Sequence, residues 1–111
     1  MQEGGRFVVP EGITHIDRSA FYKRSDLKGT LSLPSTLVEV GAYAFQFCDG
    51  LSGPLRIPDS VVKIGSQAFY DCKFSDISVK RGTTLVKDSS GDGPFWGCSA
   101  SPGKGEPTTW R

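Results

Sequence analysis

The sequence predicts a solenoid of stacked coils, mainly β with little helix, in which short parallel strands alternate with short helical or irregular turns. Residues 34–48 (PSTLVEVGAYAFQFC) and 58–72 (PDSVVKIGSQAFYDC) repeat nearly the same pattern 24 positions apart. A short stretch of alternating apolar and polar residues precedes each copy, which is typical of a strand with one buried face. Gly and Pro number 14 and 7 in 111 residues, and this content favours many turns over long helices.

Each repeat follows one frame, which consists of a Pro, two aliphatic residues, a Gly, an Ala-Phe pair and a Cys. The two clear copies place these residues at Pro34, Leu37, Val40, Gly41, Ala44, Phe45 and Cys48, and at Pro58, Val61, Ile64, Gly65, Ala68, Phe69 and Cys72. An earlier copy has Pro10, Ile13, Ile16, Ala20 and Phe21, with Arg24 in place of Cys. A degraded later copy has Phe95 and Cys98, which come 26 residues after Phe69 and Cys72 and so indicate two inserted residues.

The frame predicts a repeat domain over residues 1–98, with repeats at about 7–30, 31–54, 55–76 and 77–98. The remaining residues, 99–111 (SASPGKGEPTTWR), contain Pro, Gly and Ser without periodicity. We expect them to form a tail or linker, with Trp110 either unattached or packing as a partial cap.

Within a coil, strands are expected at 7–9, 31–33, 55–57 and 77–79, and a following Pro ends the first three because it has no N–H to donate. Gly41 and Gly65 are expected to bend the chain with positive φ. The stretches AYAFQF and SQAFYD then allow about one helical turn that buries Ala and Phe.

One coil cannot bury its apolar side alone, but stacked coils can. In-register stacking would place Leu31 on Leu55. It would also form a continuous aromatic column from Phe21, Phe45 and Phe69, so the repeat supplies the core.

The pattern L-x-I-P-x-S-V-x-x-I-G-x-x-A-F-x-x-C resembles the BspA-like leucine-rich repeats of bacterial surface proteins, which also occur in some protists. The resemblance covers about residues 7–98 and implies a leucine-rich-repeat solenoid. It also implies a binding or adhesion module, extracellular or at the cell surface, whose partner is a protein or another cell-surface macromolecule. The N-terminal sequence MQEGGRFVV lacks the apolar stretch of a secretory signal, so this localisation rests on the resemblance.

Composition and motifs argue against several other functions. The net charge of +1 does not indicate nucleic-acid binding, and no apolar run is long enough to insert in a membrane. The sequence has no nucleophile elbow, phosphate-binding loop or dinucleotide fingerprint. We therefore predict no enzymatic activity, no catalytic residue and no cofactor.

Two stretches that could suggest chemistry have simpler interpretations. His15 occupies a position that Glu39, Lys63 and Leu85 match in later repeats, so this position is expected to be a solvated face. The segment 88–93 (DSSGDG) contains acids and a Gly but lacks the spacing of a calcium-binding loop, and we interpret it as an inserted turn.

The three cysteines, Cys48, Cys72 and Cys98, hold one position in successive coils. We expect a ladder of buried thiols, although disulfides between adjacent coils stay open and an odd count leaves one thiol unpaired. A metal site is not expected, because there is no C-x-x-C and the single histidine lies in the first repeat.

Function is therefore expected on the exposed surface. The strand face should present Val8, Ser32, Arg56 and Ser78, and the neighbouring face His15, Glu39 and Lys63. A third column should present Tyr22, Gln46, Tyr70 and Trp96. From these columns we predict partner contacts at Ser32, Arg56, Ser78, Tyr22, Gln46, Tyr70 and Trp96, since exposed aromatic residues and Arg are enriched at interfaces.

Two functions fit this surface. The first is a non-enzymatic protein-interaction or adhesion module, and the second is a structural spacer within a larger surface repeat protein. Open solenoid ends expose unpaired strand edges, so self-association through the ends is a further expectation.

The stacking hypothesis makes a quantitative prediction about the aromatic column. Phe45→Ala should lower the free energy of unfolding by about 3–5 kcal/mol, because it opens a cavity in the middle of the core. Denaturant titration followed by circular dichroism measures this loss, and a change near zero would mean that the ring is not stacked inside.

Overall fold

The computed structural model describes residues 2–100 and 103–111 and shows a parallel β-solenoid of four coils. No helix occurs in the described residues, so the predicted fold class is confirmed. The described residues contain ten short strands, of which β1 pairs antiparallel with β2 and the other pairs are parallel: β1 (Gln2–Glu3), β2 (Arg6–Val8), β3 (His15–Ile16), β4 (Thr30–Ser32), β5 (Glu39–Val40), β6 (Ser52–Arg56), β7 (Lys63–Ile64), β8 (Lys73–Val79), β9 (Thr84–Leu85) and β10 (Thr109–Trp110). Coil 1 contains β2 and β3, and each later coil contains the next two strands, up to β8 and β9 in coil 4.

Each coil contributes to two columns of parallel strands. The first column consists of β2, β4, β6 and β8, which lie at the four predicted strand positions. The second is a four-stranded sheet with the order β3-β5-β7-β9, and its strands have only two residues each. This second sheet was not predicted, because two residues are too few to show alternation.

The first column is interrupted between coils 2 and 3. Its strands form two sheets, β1-β2-β4 and β6-β8-β10, and between them the described residues form one isolated bridge, which joins Gly29 and Leu51. Pro54 lies within β6 and has no N–H for the ladder, which accounts for the break. Among the described residues no register pair joins β4 to β6: Leu31 pairs with Phe7 of β2, and Leu55 pairs with Ile77 of β8. Both leucines are buried in the same core, and the expected placement of Leu31 on Leu55 stays a prediction.

The expected helical turns are instead open turn segments, at residues 17–24, 41–48 and 65–72 of coils 1–3. In coil 2, alternate N–H groups donate to the next coil and the others donate to the carbonyl three residues back. The bonds to coil 3 run from Tyr43, Phe45 and Phe47 to the carbonyls of Ser66, Ala68 and Tyr70 at 3.0, 2.7 and 2.9 Å. This alternation requires positive φ at every fourth residue, and Tyr43 and Phe47 adopt 61°.

Gly41 and Gly65 do not have the positive φ expected of them. They lie where the backbones of two successive turn segments approach each other closely. A Cβ at Gly41 would come within 2.7 Å of Arg18 N, and a Cβ at Gly65 within 2.5 Å of Ala42 N. Glycine is therefore needed here for close approach rather than for backbone conformation.

The core contains the predicted aromatic column, which this geometry confirms. Phe21, Phe45, Phe69 and Phe95 stack nearly parallel, with successive ring centroids 5.0, 5.2 and 5.3 Å apart. Phe45 and Phe69 are fully buried. Phe95 stays in the column despite the two-residue insertion, because a turn at residues 88–92 takes up the extra length.

The C-terminal residues that the sequence predicts to be a tail or linker instead pack on coil 4. Strand β10 pairs in parallel with the end of β8, and Trp110 packs against the core, as the partial-cap alternative predicts. The N–H groups of Gly93 and Phe95 donate to the carbonyls of Lys104 and Gly105. This end of the solenoid is therefore covered; Met1, Ser101 and Pro102, which the predicted domains include, lie outside the described residues.

The close approach at the glycines can be tested by adding one methyl group. Gly65→Ala should destabilise the fold by about 1–3 kcal/mol, because the new Cβ would collide with backbone atoms of Ala42, which cannot easily move.

Gly5→Ala is the matched control. A Cβ added at Gly5 would meet no atom within 4 Å beyond its chain neighbours, and the φ of this residue is not positive. Chemical denaturation of both variants gives the comparison. Equal stability of the two variants would contradict the proposed close approach.

Candidate functional site

A row of aromatic side chains runs along the outside of the turn segments. Ring centroids are 6.1 Å apart for Tyr22 and Phe47, 5.3 Å for Phe47 and Tyr70, and 5.1 Å for Tyr70 and Trp96. Tyr22 and Trp96 are 42% and 36% exposed, and the two rings between them are half-buried. We call Tyr22, Phe47, Tyr70 and Trp96 the aromatic ridge.

The structure corrects one predicted member of this column. Gln46 is buried, with 8% exposure, and donates to Gln67 Oε1 at 2.6 Å. Gln67 in turn donates to Asp88 Oδ2 at 3.1 Å, so the two amides link coils 2, 3 and 4. Phe47, the next residue along the chain, takes the place of Gln46 in the row, and its ring packs at an angle between those of Tyr22 and Tyr70.

A cation lies beside the ridge. Lys23 Nζ is 5.3 Å from the ring centroid of Tyr22 and 5.8 Å from that of Phe47, within the range of cation–π attraction. Lys73 Nζ lies 4.0 Å from Asp71 Oδ1 in coil 3. The ridge thus combines a row of aromatic rings with the adjacent Lys23 cation, and aromatic residues are enriched at protein interfaces.

The strand face forms a shallow groove of about 500 Å³ around the break between β4 and β6. The groove is lined by both predicted residues of this region, the half-buried Ser32 and the exposed Arg56, together with Arg6 and Glu11. Glu11 accepts from Ser35 N and Oγ at 3.1 and 2.8 Å, which fixes its carboxylate.

The third predicted residue of the strand face, Ser78, is already engaged within the chain. Its Oγ accepts a hydrogen bond from Arg111 Nη1 at 2.7 Å. Arg111 Nη2 donates to Asp59 Oδ1, also at 2.7 Å, and Arg56 Nη2 lies 3.6 Å from the same oxygen. The Arg111 bond lowers the pKa of the Asp59 carboxyl. Sequence reasoning missed Arg111, since nothing in an aperiodic segment indicates where it packs.

The second sheet presents His15, Glu39, Lys63 and Thr84 in register. Thr84, rather than the expected Leu85, is the partner of Lys63, and Leu85 pairs with Ile64 and packs against the core. His15, Lys63 and Thr84 are exposed and Glu39 is half-buried.

The three cysteines are buried and free, as expected for a thiol ladder. Each Sγ donates to a phenylalanine carbonyl of the preceding coil: Cys48 to Phe21 at 3.0 Å, Cys72 to Phe45 at 3.1 Å and Cys98 to Phe69 at 3.0 Å. Burial raises the pKa of the Cys48 thiol to about 11. The adjacent Cys98 thiol, together with burial, raises the pKa of Cys72. These thiols hold adjacent coils together and are poor nucleophiles.

The inserted turn is organised by Asp88. Its Oδ1 accepts from Ser90 N at 2.8 Å and Asp92 N at 3.0 Å, which closes the turn. These bonds, with the one to Asp92 contributing most, lower the pKa of Asp88. In the part of the chain that the structure describes, no three His, Cys, Asp or Glu side chains are placed to hold a metal ion.

Comparison with known families agrees with this architecture. The model of the BspA type leucine rich repeat region matches residues 14–100 in six copies, which is well over half of the chain. The chain belongs to the BspA-type leucine-rich repeat family. No curated protein and no solved structure matches it.

A BspA-type solenoid is a non-catalytic type of interaction scaffold, and leucine-rich repeats generally mediate protein interactions. The family is typically associated with cell surfaces. Among the described residues, none forms a helix with the length and hydropathy required to cross a bilayer.

The thiol ladder predicts how the native protein reacts with a thiol reagent. At pH 8 the folded chain should react with Ellman's reagent far more slowly than unfolded chain, which should release three equivalents. Rapid reaction of all three thiols without unfolding would contradict the buried ladder.

The free energy of unfolding should also decline above pH 9.0. The reason is that the thiols of the unfolded chain ionise near this pH, whereas the pKa of Cys48 in the folded chain is about 11.

Proposed function

We propose that this chain is a non-enzymatic protein-interaction module that presents the aromatic ridge to a macromolecular partner. The observation that carries the proposal is a contiguous row of four aromatic side chains on the surface, drawn from all four coils. Single exposed aromatic residues are common on soluble proteins, whereas a contiguous row indicates a contact surface.

The ridge is suited to binding because it is already ordered. Phe47 and Tyr70 each have a ring on both sides, and the main chain beneath them is hydrogen-bonded to the next coil. A partner that docks here immobilises few additional rotamers, so little of the contact energy is lost to ordering. Tyrosine and tryptophan also give large contact areas with few rotatable bonds.

The strand-face groove is a second candidate contact surface in the same proposal. Ser32 and Arg56 remain accessible there, and Arg56 can pair with an acidic group because its contact with Asp59 is long and exposed. Ser78 contributes less, since Arg111 already donates to its hydroxyl.

The family association with surfaces supports an extracellular or cell-surface setting, with adhesion as the form of interaction. The partner would be a protein or another cell-surface macromolecule. Self-association is less favoured at the C-terminal end of the solenoid, where residues 103–111 cover coil 4.

A comparison of surface variants tests this function. Purified chain is titrated onto immobilised extracellular matrix proteins and onto intact cells. The ridge variant Tyr22→Ser, Tyr70→Ser, Trp96→Ser should weaken binding at least about tenfold, because aromatic anchors carry most of the energy of an interface.

The control variant Lys63→Ser, Thr84→Ala changes exposed residues of the second sheet and should bind like the unmodified chain. Both variants should retain cooperative unfolding. If the ridge variant folds and binds as well as the control, the ridge is not the contact surface. A chain that acts only as a spacer would bind in neither form.

A further inference from the structure

The last residues of the chain occupy a shaped site at the edge of β8. Strand β10 aligns Thr109 with Ser78 and Trp110 with Val79. Ile77 N donates to Thr108 Oγ1 at 2.9 Å, and Arg111 N donates to Val79 O at 2.8 Å. Arg81 N completes the set by donating to Arg111 O at 2.9 Å. Residues 108–111 are thus bound as an added strand, the way many domains bind an extended peptide.

The side chain of Arg111 enters a niche that three acceptors form at the ends of two adjacent coils. These acceptors are Ser78 Oγ and Asp59 Oδ1, each at 2.7 Å, and the carbonyl of Ile57, which is in close contact with Nη2. The Arg111 side chain is only 22% exposed. A planar guanidinium can donate in several directions at once, which a lysine ammonium on a flexible stem does less specifically.

The neighbouring residue adds an apolar contact. Trp110 is half-buried and packs against the core cluster next to Val79. The site therefore offers backbone pairing, one apolar contact for an aromatic side chain and one niche for a guanidinium.

We propose that this edge is a peptide-binding site for an extended segment in which an aromatic residue precedes arginine, and that residues 108–111 fill it in cis. The site is separate from the aromatic ridge and does not depend on the function proposed for the ridge. In its occupied form it leaves Ser78 and Asp59 engaged, and in its vacated form it exposes the edge of β8 to a segment of the same chemistry from another chain.

The cis segment makes two register pairs with β8, and the side chains of Trp110 and Arg111 add to these backbone bonds in holding it. Tethering gives such a segment an effective concentration on the order of millimolar, which keeps the site filled against a free peptide. Weakening the cis segment should therefore uncover binding in trans.

The test uses the full chain with Trp110→Ala and Arg111→Ala and a labelled, C-terminally amidated peptide of residues 106–111, EPTTWR. Fluorescence anisotropy should show saturable binding to this variant and at least about tenfold weaker binding to the unmodified chain. The peptide EPTTWA, and the addition of Asp59→Ala to the variant, should each weaken binding at least about tenfold, because a charge-assisted bond is lost.

Equal affinity for EPTTWR and EPTTWA, or no binding to a variant that still unfolds cooperatively, would overturn the proposal. If the double variant does not fold, the single variant Asp59→Ala is used, since Asp59 is exposed and all strand pairs remain. Hydrogen exchange at the Ile77, Arg81 and Arg111 amides should then accelerate about tenfold without change at Phe45. Unchanged exchange at these amides would overturn the proposal in that case.

Discussion

The structure depends on the backbone contact between successive turn segments. Alternate N–H groups of residues 43–47 reach the carbonyls of the next coil at 2.7–3.0 Å, and the absence of Cβ atoms at Gly41 and Gly65 permits this approach. The alternation forces Tyr43 and Phe47 into positive φ, at a cost of about 1–2 kcal/mol each for an L-residue. The hydrogen bonds to the next coil offset that cost, because without them these buried N–H and C=O groups would lack partners. The same contact fixes the spacing of the phenylalanine column and, on the outside, of the aromatic ridge.

The contact explains which side chains repeat and which vary. Inward positions carry the same residue types in each internal coil because every level of the stack has the same volume to fill, as with Phe45 and Phe69. Coil 1 differs at two of these positions, where Asp17 and Arg24 stand in place of Gly41 and Cys48. Both are exposed, and Arg24 Nε pairs with Asp26 Oδ1 at 2.8 Å. No described coil covers this face of coil 1, so charged side chains are tolerated there. At the same positions of an internal coil, the neighbouring coil leaves room only for a glycine and a buried thiol.

The 24-residue period made the coil stack, the first strand column and the buried rings predictable, because burial imposes the same apolar pattern on every coil. Features that depend on single residues or on length were not predictable. The two-residue strands of the second sheet are too short for alternation, and Pro54 divides the first column although its neighbours fit the strand pattern. The exchange of Gln46 for Phe47 on the ridge was not predictable, because Gln46 occupies the repeat position that Tyr22 and Tyr70 hold in the neighbouring coils. The packing of residues 108–111 depends on partners in other coils, 31 to 54 positions away.

The two candidate surfaces are held by different interactions, and this difference bears on how each can act. The ridge rests on a main chain bonded to the next coil, so its geometry changes only if the stack itself opens. Residues 108–111 are attached by a two-residue strand, by the main-chain bonds of Arg111 and by side-chain bonds that are partly accessible to water. The proposed peptide exchange requires this segment to be released while the coils stay folded. A solenoid built in this way combines one surface with fixed geometry and one whose exposure depends on a local equilibrium. The free energy that separates the two forms of the β8 edge comes from these few bonds and from the packing of Trp110, and a partner that competes for this edge need only exceed that local term rather than the stability of the whole stack.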